Sequence, residues 1–158
     1  MTSSPVGTRL LLAVVGGVAA MTVALDQWTK TLAVRALADG PVHVWWTLRF
    51  NLSFNSGIAF SLGPGLTPWI MVVGALLVVG LLAMTRRLTS PVMAVAVGLV
   101  LGGAIGNLSD RVFRGHGGAV VDFIDVQWWP IFNVADMAIT IGAVLLVLSG
   151  LREPSPAS

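Results

Sequence analysis

The sequence contains no cysteine. That excludes a disulfide framework, a thiol nucleophile and a Cys-ligated metal site. It also excludes lipidation of this chain on a cysteine of its own. Charge is scarce. Only 10% of the 158 residues are Asp, Glu, Lys or Arg, against about 25% in an average soluble domain. Histidine occurs twice, far apart in sequence, so a histidine-based zinc site is not expected, and no metal or other cofactor is implied. The net charge of +2 is small, and the high calculated isoelectric point reflects few ionisable groups. No basic patch points to nucleic acid.

What fills the space is apolar: 56% of residues are hydrophobic, gathered in long runs. This indicates a single integral membrane domain over residues 1–158, with spans near 10–26, 67–85, 91–108 and 134–151. Residues 1–8 read as a polar tail. Arg9 followed by the apolar run 10–25 resembles a secretory leader. No small-x-small site closes that run and DQWTK comes directly after it, so an uncleaved first helix is expected. Gly16, Ala20 and Ala24 suggest a small-residue packing face on it. Gly98, Gly102 and Gly106 suggest another on the third span.

Between the first two spans, Leu48, Phe50, Leu52 and Phe54 alternate with Arg49, Asn51, Ser53 and Asn55, the pattern of a half-buried strand. Gly57 and the GPG at 63–65 end it. A sheet edge cannot face hydrocarbon, so this ribbon belongs at the membrane surface or against protein. The expected fold is therefore an all-α membrane protein of four transmembrane helices with a small extracytoplasmic β-ribbon. The tight, acid-free loop at 84–91 with Arg86 and Arg87 puts the termini in the cytoplasm. Both polar segments, all six tryptophans and all six aspartates then lie on the outer side. Neither a heptad pattern nor a long soluble interface is visible, so a monomer is expected.

The polar stretch from Gly102 to Asp136 is bounded by apolar runs, and it holds Asp110, Asp122, Asp125 and Asp136. Ionisable groups pinned between membrane spans are costly, so a functional role is the default reading. Two nearby carboxyls share one proton, which lets one act as base toward water while the other donates to a carbonyl oxygen. Asp122, between Val120-Val121 and Phe123-Ile124, and Asp136, opening the last span, are the candidates. Asp110 adjoins Arg111, suggesting an ion pair, and Asp125 looks less enclosed. Plainer readings stand beside these. Asn133 and Asp136 have the spacing of an N-cap and its N3 acid, and Asn107 reads as a C-cap. Asp122 reads also as a strand or loop residue facing water. Asp26 and Lys30, four apart, read as a surface ion pair on a helix. His116, among glycines, reads as a surface residue.

DQWTK at 26–30, NSGIAF at 55–60, GNLSDR at 106–111, VVDF at 120–123 and FNVAD at 132–136 together resemble the lipoprotein signal peptidases, signal peptidase II of bacteria. The resemblance covers about residues 10–150. It implies an aspartic membrane endopeptidase of the cytoplasmic membrane, working at its outer face. Its substrates would be lipid-modified prolipoproteins, cut before the diacylglyceryl-modified cysteine, with membrane lipid as a further partner. By the same resemblance Asp122 and Asp136 are catalytic. Asn55, Asn107, Arg111 and Asn133 bind substrate or support the site, and Asp26 and Lys30 support it. Ile58 replaces a small residue of the usual motif, the 114–119 loop looks long and the 122–136 connection short, which leaves loop shape and substrate preference open. The alternative from another class is a small proton-coupled transporter or channel subunit. It requires charges near the middle of the bilayer, and the four expected spans have none in their interiors.

Overall fold

The structure, a computed structural model, describes residues 5–57, 67–85, 88 and 90–151. Ile58, the GPG at 63–65, Arg86, Arg87 and Arg152 lie outside the described residues. Helix α1 runs Pro5–Ala36, strand β1 Val42–Trp45, strand β2 Leu48–Asn55 and helix α2 Thr67–Met84. Helix α3 runs Pro91–Phe113, strand β3 Val120–Asp125 and helix α4 Val134–Gly150. The described residues are mostly helical with one small antiparallel sheet, and among them two helical segments, Gly7–Ala36 and Pro91–Phe113, are long and apolar enough to cross a membrane. Pro68–Met84 and Val134–Gly150 are shorter apolar helices.

Helix α3 is the hub, packed on α1 and α4 and more lightly on α2. Its start is set chemically: the Ser90 hydroxyl accepts from the Met93 N–H, and Pro91 stands in the first turn, where its missing N–H is harmless. Close approach depends on glycine at two faces. A Cβ on Gly102 would lie 2.7 Å from Thr22 Cβ and 2.8 Å from the Ala19 carbonyl oxygen on α1. One on Gly103 would lie 2.5 Å from the Ala135 carbonyl oxygen on α4. The glycine face expected on the third span thus packs against α1.

The face expected on the first helix does not pack. Around Gly16 a Cβ would meet nothing within 4 Å, and Ala20 and Ala24 are exposed. The buried stripe of α1 is instead Val15, Ala19, Thr22, Asp26, Lys30 and Ala33, at spacings of three and four, and Leu37 continues it just past the helix end. The same stripe carries α1 well past the expected end of the first span at residue 26, to Ala36.

The ribbon expected at 48–55 is the central strand of a three-stranded sheet in the order β1-β2-β3. Its apolar face is not the better covered one. Phe50 and Phe54 are exposed, whereas Arg49, Asn51, Ser53 and Asn55 are half-buried. Register explains this: Arg49 stands opposite Asp125 and Ser53 opposite Asp122, so the polar face of β2 looks onto the carboxylates of β3. Leu52 and Phe123 pack on Ala33 and Leu37 at the end of α1, which seats the sheet on that helix. Beyond β3, Phe132 bridges Ile124 and covers that edge.

Candidate active site

Asp122 lies in β3, where both neighbouring pairs are apolar, and it is 3% exposed. Its Oδ2 accepts from Asn55 Nδ2 of β2 at 3.1 Å, and its Oδ1 from Asn133 Nδ2 at 2.6 Å. Burial raises its pKa to about 6, and the nearby charge of Asp136 pushes the same way. Hydrogen bonds from Asn55 and Asn133 oppose the rise without cancelling it.

Asp136 reaches the same place from the first turn of α4. Asn133 caps that helix: its Oδ1 accepts from the Asp136 N–H at 3.0 Å, and its own N–H donates to Asp136 Oδ2 at 3.1 Å. The expected capping box is therefore present, and it is also a bridge. One fully buried residue, Asn133, holds Asp136 through the box and Asp122 through its side-chain amide. The second oxygen of Asp136, Oδ1, accepts from Asn107 Nδ2 at 2.8 Å. Both carboxyls line a cleft of about 660 Å³ walled by Ser53, Phe54 and Asn55 on one side and by residues 127–132 on the other.

Asn107 is not a C-cap. Helix α3 continues to Phe113 with Arg114 as its cap, and Asn107 sits within the helix, facing the pair. Asp26 and Lys30 are not at the surface: both are fully buried, 2.8 Å apart. Lys30 Nζ also contacts Asp110 Oδ2 at 2.9 Å and donates to Asn107 Oδ1 at 2.9 Å. Asp26 Oδ1 accepts from the Ala135 N–H at 3.0 Å, tying α1 to the start of α4.

The ion pair expected between Asp110 and Arg111 is absent, because adjacent helical residues point in different directions. Asp110 pairs with Lys30 and with Arg114 one turn on, and its Oδ2 also accepts from the Val121 N–H. Gln27 joins this cluster, donating to Asp110 Oδ1 at 2.9 Å and accepting from Arg114 Nη2 at 2.8 Å. Sequence reasoning misses Gln27, Asp110 and Arg114 as site support. The i, i+4 spacing of Asp110 and Arg114 is the signal that could have found two of them.

Arg111 forms no ion pair with Asp110 among the described residues, and it lies where the charges of Asp122, Asp136 and Asp110 all act on it. Among the described residues its guanidinium makes long contacts, 3.4 Å to the carbonyl oxygens of Asn107 and Gly57. Among the described residues, its Nε is the buried side-chain nitrogen or oxygen left without a hydrogen-bond partner. Asp125 is more enclosed than the sequence suggests, at 3% exposed, and it points to the far end of the sheet. Burial pushes its pKa up, but Arg49 Nε at 2.7 Å, the Gln127 N–H and Asn51 more than offset this, and its carboxyl sits below the usual range. Asp125 is thus paired with Arg49 and holds the start of the 127–132 wall through the Gln127 N–H, and no hydrogen bond joins it to the groups that bind Asp122 and Asp136 among the described residues. His116 is exposed, with its ring 4.5 Å from that of Phe54. Among the described residues no group of three or more His, Cys, Asp or Glu side chains could hold a metal ion.

The arrangement offers two carboxyls of unequal environment, clamped by amides, with a guanidinium on which their charges act and an open cleft beside them. Residues 18–152 match the family described as signal peptidase (SPase) II. A lipoprotein signal peptidase of Mycobacterium avium (strain 104) is 50% identical over 145 residues, covering 89% of this chain and 78% of that protein. One from Rhodococcus jostii (strain RHA1) is 47% identical, covering 94% and 76%. One from Mycolicibacterium smegmatis is 49% identical, and the match spans 61% of its length. In three dimensions the chain is similar to a bacterial membrane enzyme solved by the in meso method at 2.3 Å resolution. The TM-score is 0.76 at 28% identity, covering 89% of this chain and 92% of the other. The five sequence motifs, the membrane-protein fold and the family match converge, and this chain belongs to the signal peptidase II family.

Proposed function

We propose that this protein removes signal peptides from prolipoproteins, cutting before the lipid-modified cysteine, with Asp122 and Asp136 as an aspartic catalytic pair. The observation that carries the reading is Asn133, whose backbone and side chain hold the two carboxyls at one end of an open cleft. Asp136 accepts two hydrogen bonds in the first turn of α4, where a negative charge interacts favourably with the helix dipole. Asp122, with its raised pKa, keeps the shared proton.

In the reaction, Asp136 takes a proton from water, whose oxygen attacks the scissile carbonyl carbon. Asp122 gives its proton to the carbonyl oxygen, forming a neutral tetrahedral gem-diol. Asp136 then passes its proton to the leaving nitrogen as the C–N bond breaks. One hydroxyl returns a proton to Asp122, and acid and amine products are left. Among the described residues Arg111 has an unpartnered Nε and long remaining contacts, and it holds a substrate carbonyl or a polar headgroup. Asn55, Asn107 and Asn133 orient the carboxyls, and Asp26 and Lys30 brace them from beneath.

The four helices are read as four spans of the bacterial cytoplasmic membrane. Termini face the cytoplasm and the sheet lies at the outer surface, with the protein acting as a monomer. The transporter alternative has no support among the relatives. The test is cleavage of a lipidated prolipoprotein by purified protein. Asp122→Asn and Asp136→Asn are each expected to lower kcat by at least about a thousandfold, and the double variant by no more than either alone, because the pair acts as a unit. Substantial cleavage by either single variant would exclude the pair.

A further inference from the structure

Lys30 lies beneath the carboxyl pair and hydrogen-bonds to neither member. All three of its ammonium hydrogens are committed: to Asp26 Oδ2 at 2.8 Å, Asp110 Oδ2 at 2.9 Å and Asn107 Oδ1 at 2.9 Å. Charge balance does not require the third of these. Lys30 and Arg114 already neutralise Asp26 and Asp110 between them. The contact to Asn107 is therefore additional to holding the helices together, and it has a consequence for polarity.

An ammonium can only donate, so the atom of Asn107 that faces it must be the carbonyl oxygen. The same oxygen accepts from Asn133 Nδ2 at 3.2 Å. A flipped Asn107 would set its NH₂ against the ammonium and against the Asn133 NH₂, and would turn its carbonyl toward the Asp136 carboxylate. All three contacts would be repulsive. With the flip excluded, Asn107 Nδ2 points at Asp136 Oδ1, 2.8 Å away. Asn133 is fixed in turn, because its oxygen is engaged by the α4 cap, so its NH₂ must face Asp122 and Asn107.

We propose that Lys30 is a positioning residue that sets the direction of the Asn107 amide and, through it, places the pair's negative charge on Asp136 and its proton on Asp122. The inference rests on the reading of Asp122 and Asp136 as catalytic. It extends that reading by making the inequality of the two carboxyls a product of a buried cation outside the cleft. The charged groups around the pair are Lys30 and Asp26 from α1, Asp110, Arg111 and Arg114 from α3, and, at the far end of the sheet, Arg49 with Asp125. Removing Lys30 therefore also removes a positive charge acting through space. The experiment has to separate that effect from the route through Asn107.

The test uses the full chain in detergent with a lipidated prolipoprotein. It compares Lys30→Met, Asn107→Leu, the two combined, and the charge-balanced Asp26→Asn/Lys30→Met. Lys30→Met is expected to lower kcat by about tenfold or more with KM changed less than about twofold. The acid limb of the pH profile of kcat/KM should move up by about half a unit or more, because the first ionisation of the pair has lost its fixed donor. The charge-balanced variant should show the same shift. In the Asn107→Leu background, Lys30→Met should add less than about a threefold further loss, since both changes remove one route. Losses that multiply across the two sites, or a wild-type pH profile in the charge-balanced variant, would overturn the proposal. Asn107→Leu leaves both Lys30 ion pairs in place, so it decides the matter if neither Lys30 variant folds: an unmoved acid limb there also overturns it. The parent reading fails by a different result, cleavage surviving in Asp122→Asn or Asp136→Asn.

Discussion

A carboxyl on a dry strand is favoured in its neutral form, and Asp122 is such a residue. Burial first, and the neighbouring Asp136 second, raise its pKa to about 6 from an unperturbed 3.8. The folded protein binds this proton more tightly than the unfolded chain does. The group's contribution to stability is therefore complete below 3.8 and is lost as the pH rises through about 6. Asp122→Asn cannot ionise and does not suffer this loss. The stability of the variant minus that of the wild type should rise by about 2 kcal/mol between about pH 4.5 and pH 8, whatever its offset from the changed hydrogen bonds. Denaturant unfolding of both proteins at the two pH values measures it, and a flat difference would show that Asp122 is not held protonated. In activity, the same group sets the alkaline limb of kcat/KM. The limb should lie near 6 in the free protein and be absent from any residual activity of Asp122→Asn.

At the scale of elements, the helix starts are legible in the sequence because their signals are local, whereas Asp122 and Asp136 stand out from their neighbours only through the family resemblance. The Asn133–Asp136 box, Pro91 after Ser90 and the apolar runs each act within one turn or one span. Which face is covered is not legible, since that depends on partners distant in sequence. Alternation at 48–55 announces a strand, but in a membrane protein the apolar side faces lipid as readily as a core. Here Arg49, Asn51 and Asn55 turn to the carboxylates of β3. Adjacency pairs Asp110 with Arg111, although its partners lie one turn away and on another helix. Small residues on α1 look like a packing face because the pattern cannot distinguish a helix neighbour from lipid. Where helices do meet closely, the demand is testable. Gly103→Ala would drive a methyl into the Ala135 carbonyl, next to Asp136, and should destabilise by about 1–3 kcal/mol and lower kcat. Gly74→Ala and Gly80→Ala on α2 meet nothing within 4 Å and should leave both unchanged. Thermal unfolding in detergent with parallel cleavage assays separates the two cases, and equal effects at all three sites would argue against tight α3–α4 packing.

For the whole molecule, the question is how a buried pair of carboxyls meets a peptide bond that is itself anchored in a bilayer. Trp28, Trp45, Trp46, Trp69, Trp128 and Trp129 are all exposed, and Trp128 and Trp129 line the cleft that holds the pair. Tryptophan favours headgroup depth, so the proposed orientation puts the cleft at the outer interface. Reporters fused near Gly117 should then read external, and one after Arg152 cytoplasmic. The apolar outer faces of α2 and α4, with Val73, Leu76, Val79, Val144 and Val147 exposed, offer hydrocarbon surface below it. A substrate acyl chain leaving lipid for such a surface passes from one apolar medium to another. It gains far less than the roughly 0.8 kcal/mol per CH₂ of transfer from water. The lipid should therefore act mainly by setting the depth and orientation of the scissile bond against Asp122 and Asp136, which is a contribution to kcat. Matched lipidated and unlipidated prolipoproteins, assayed over a concentration series in diluted detergent, measure this. The unlipidated form should turn over more slowly even at saturation, by about tenfold or more. If saturating unlipidated substrate is cut at the full rate, positioning is not the role of the lipid and it serves only to hold the substrate in the membrane.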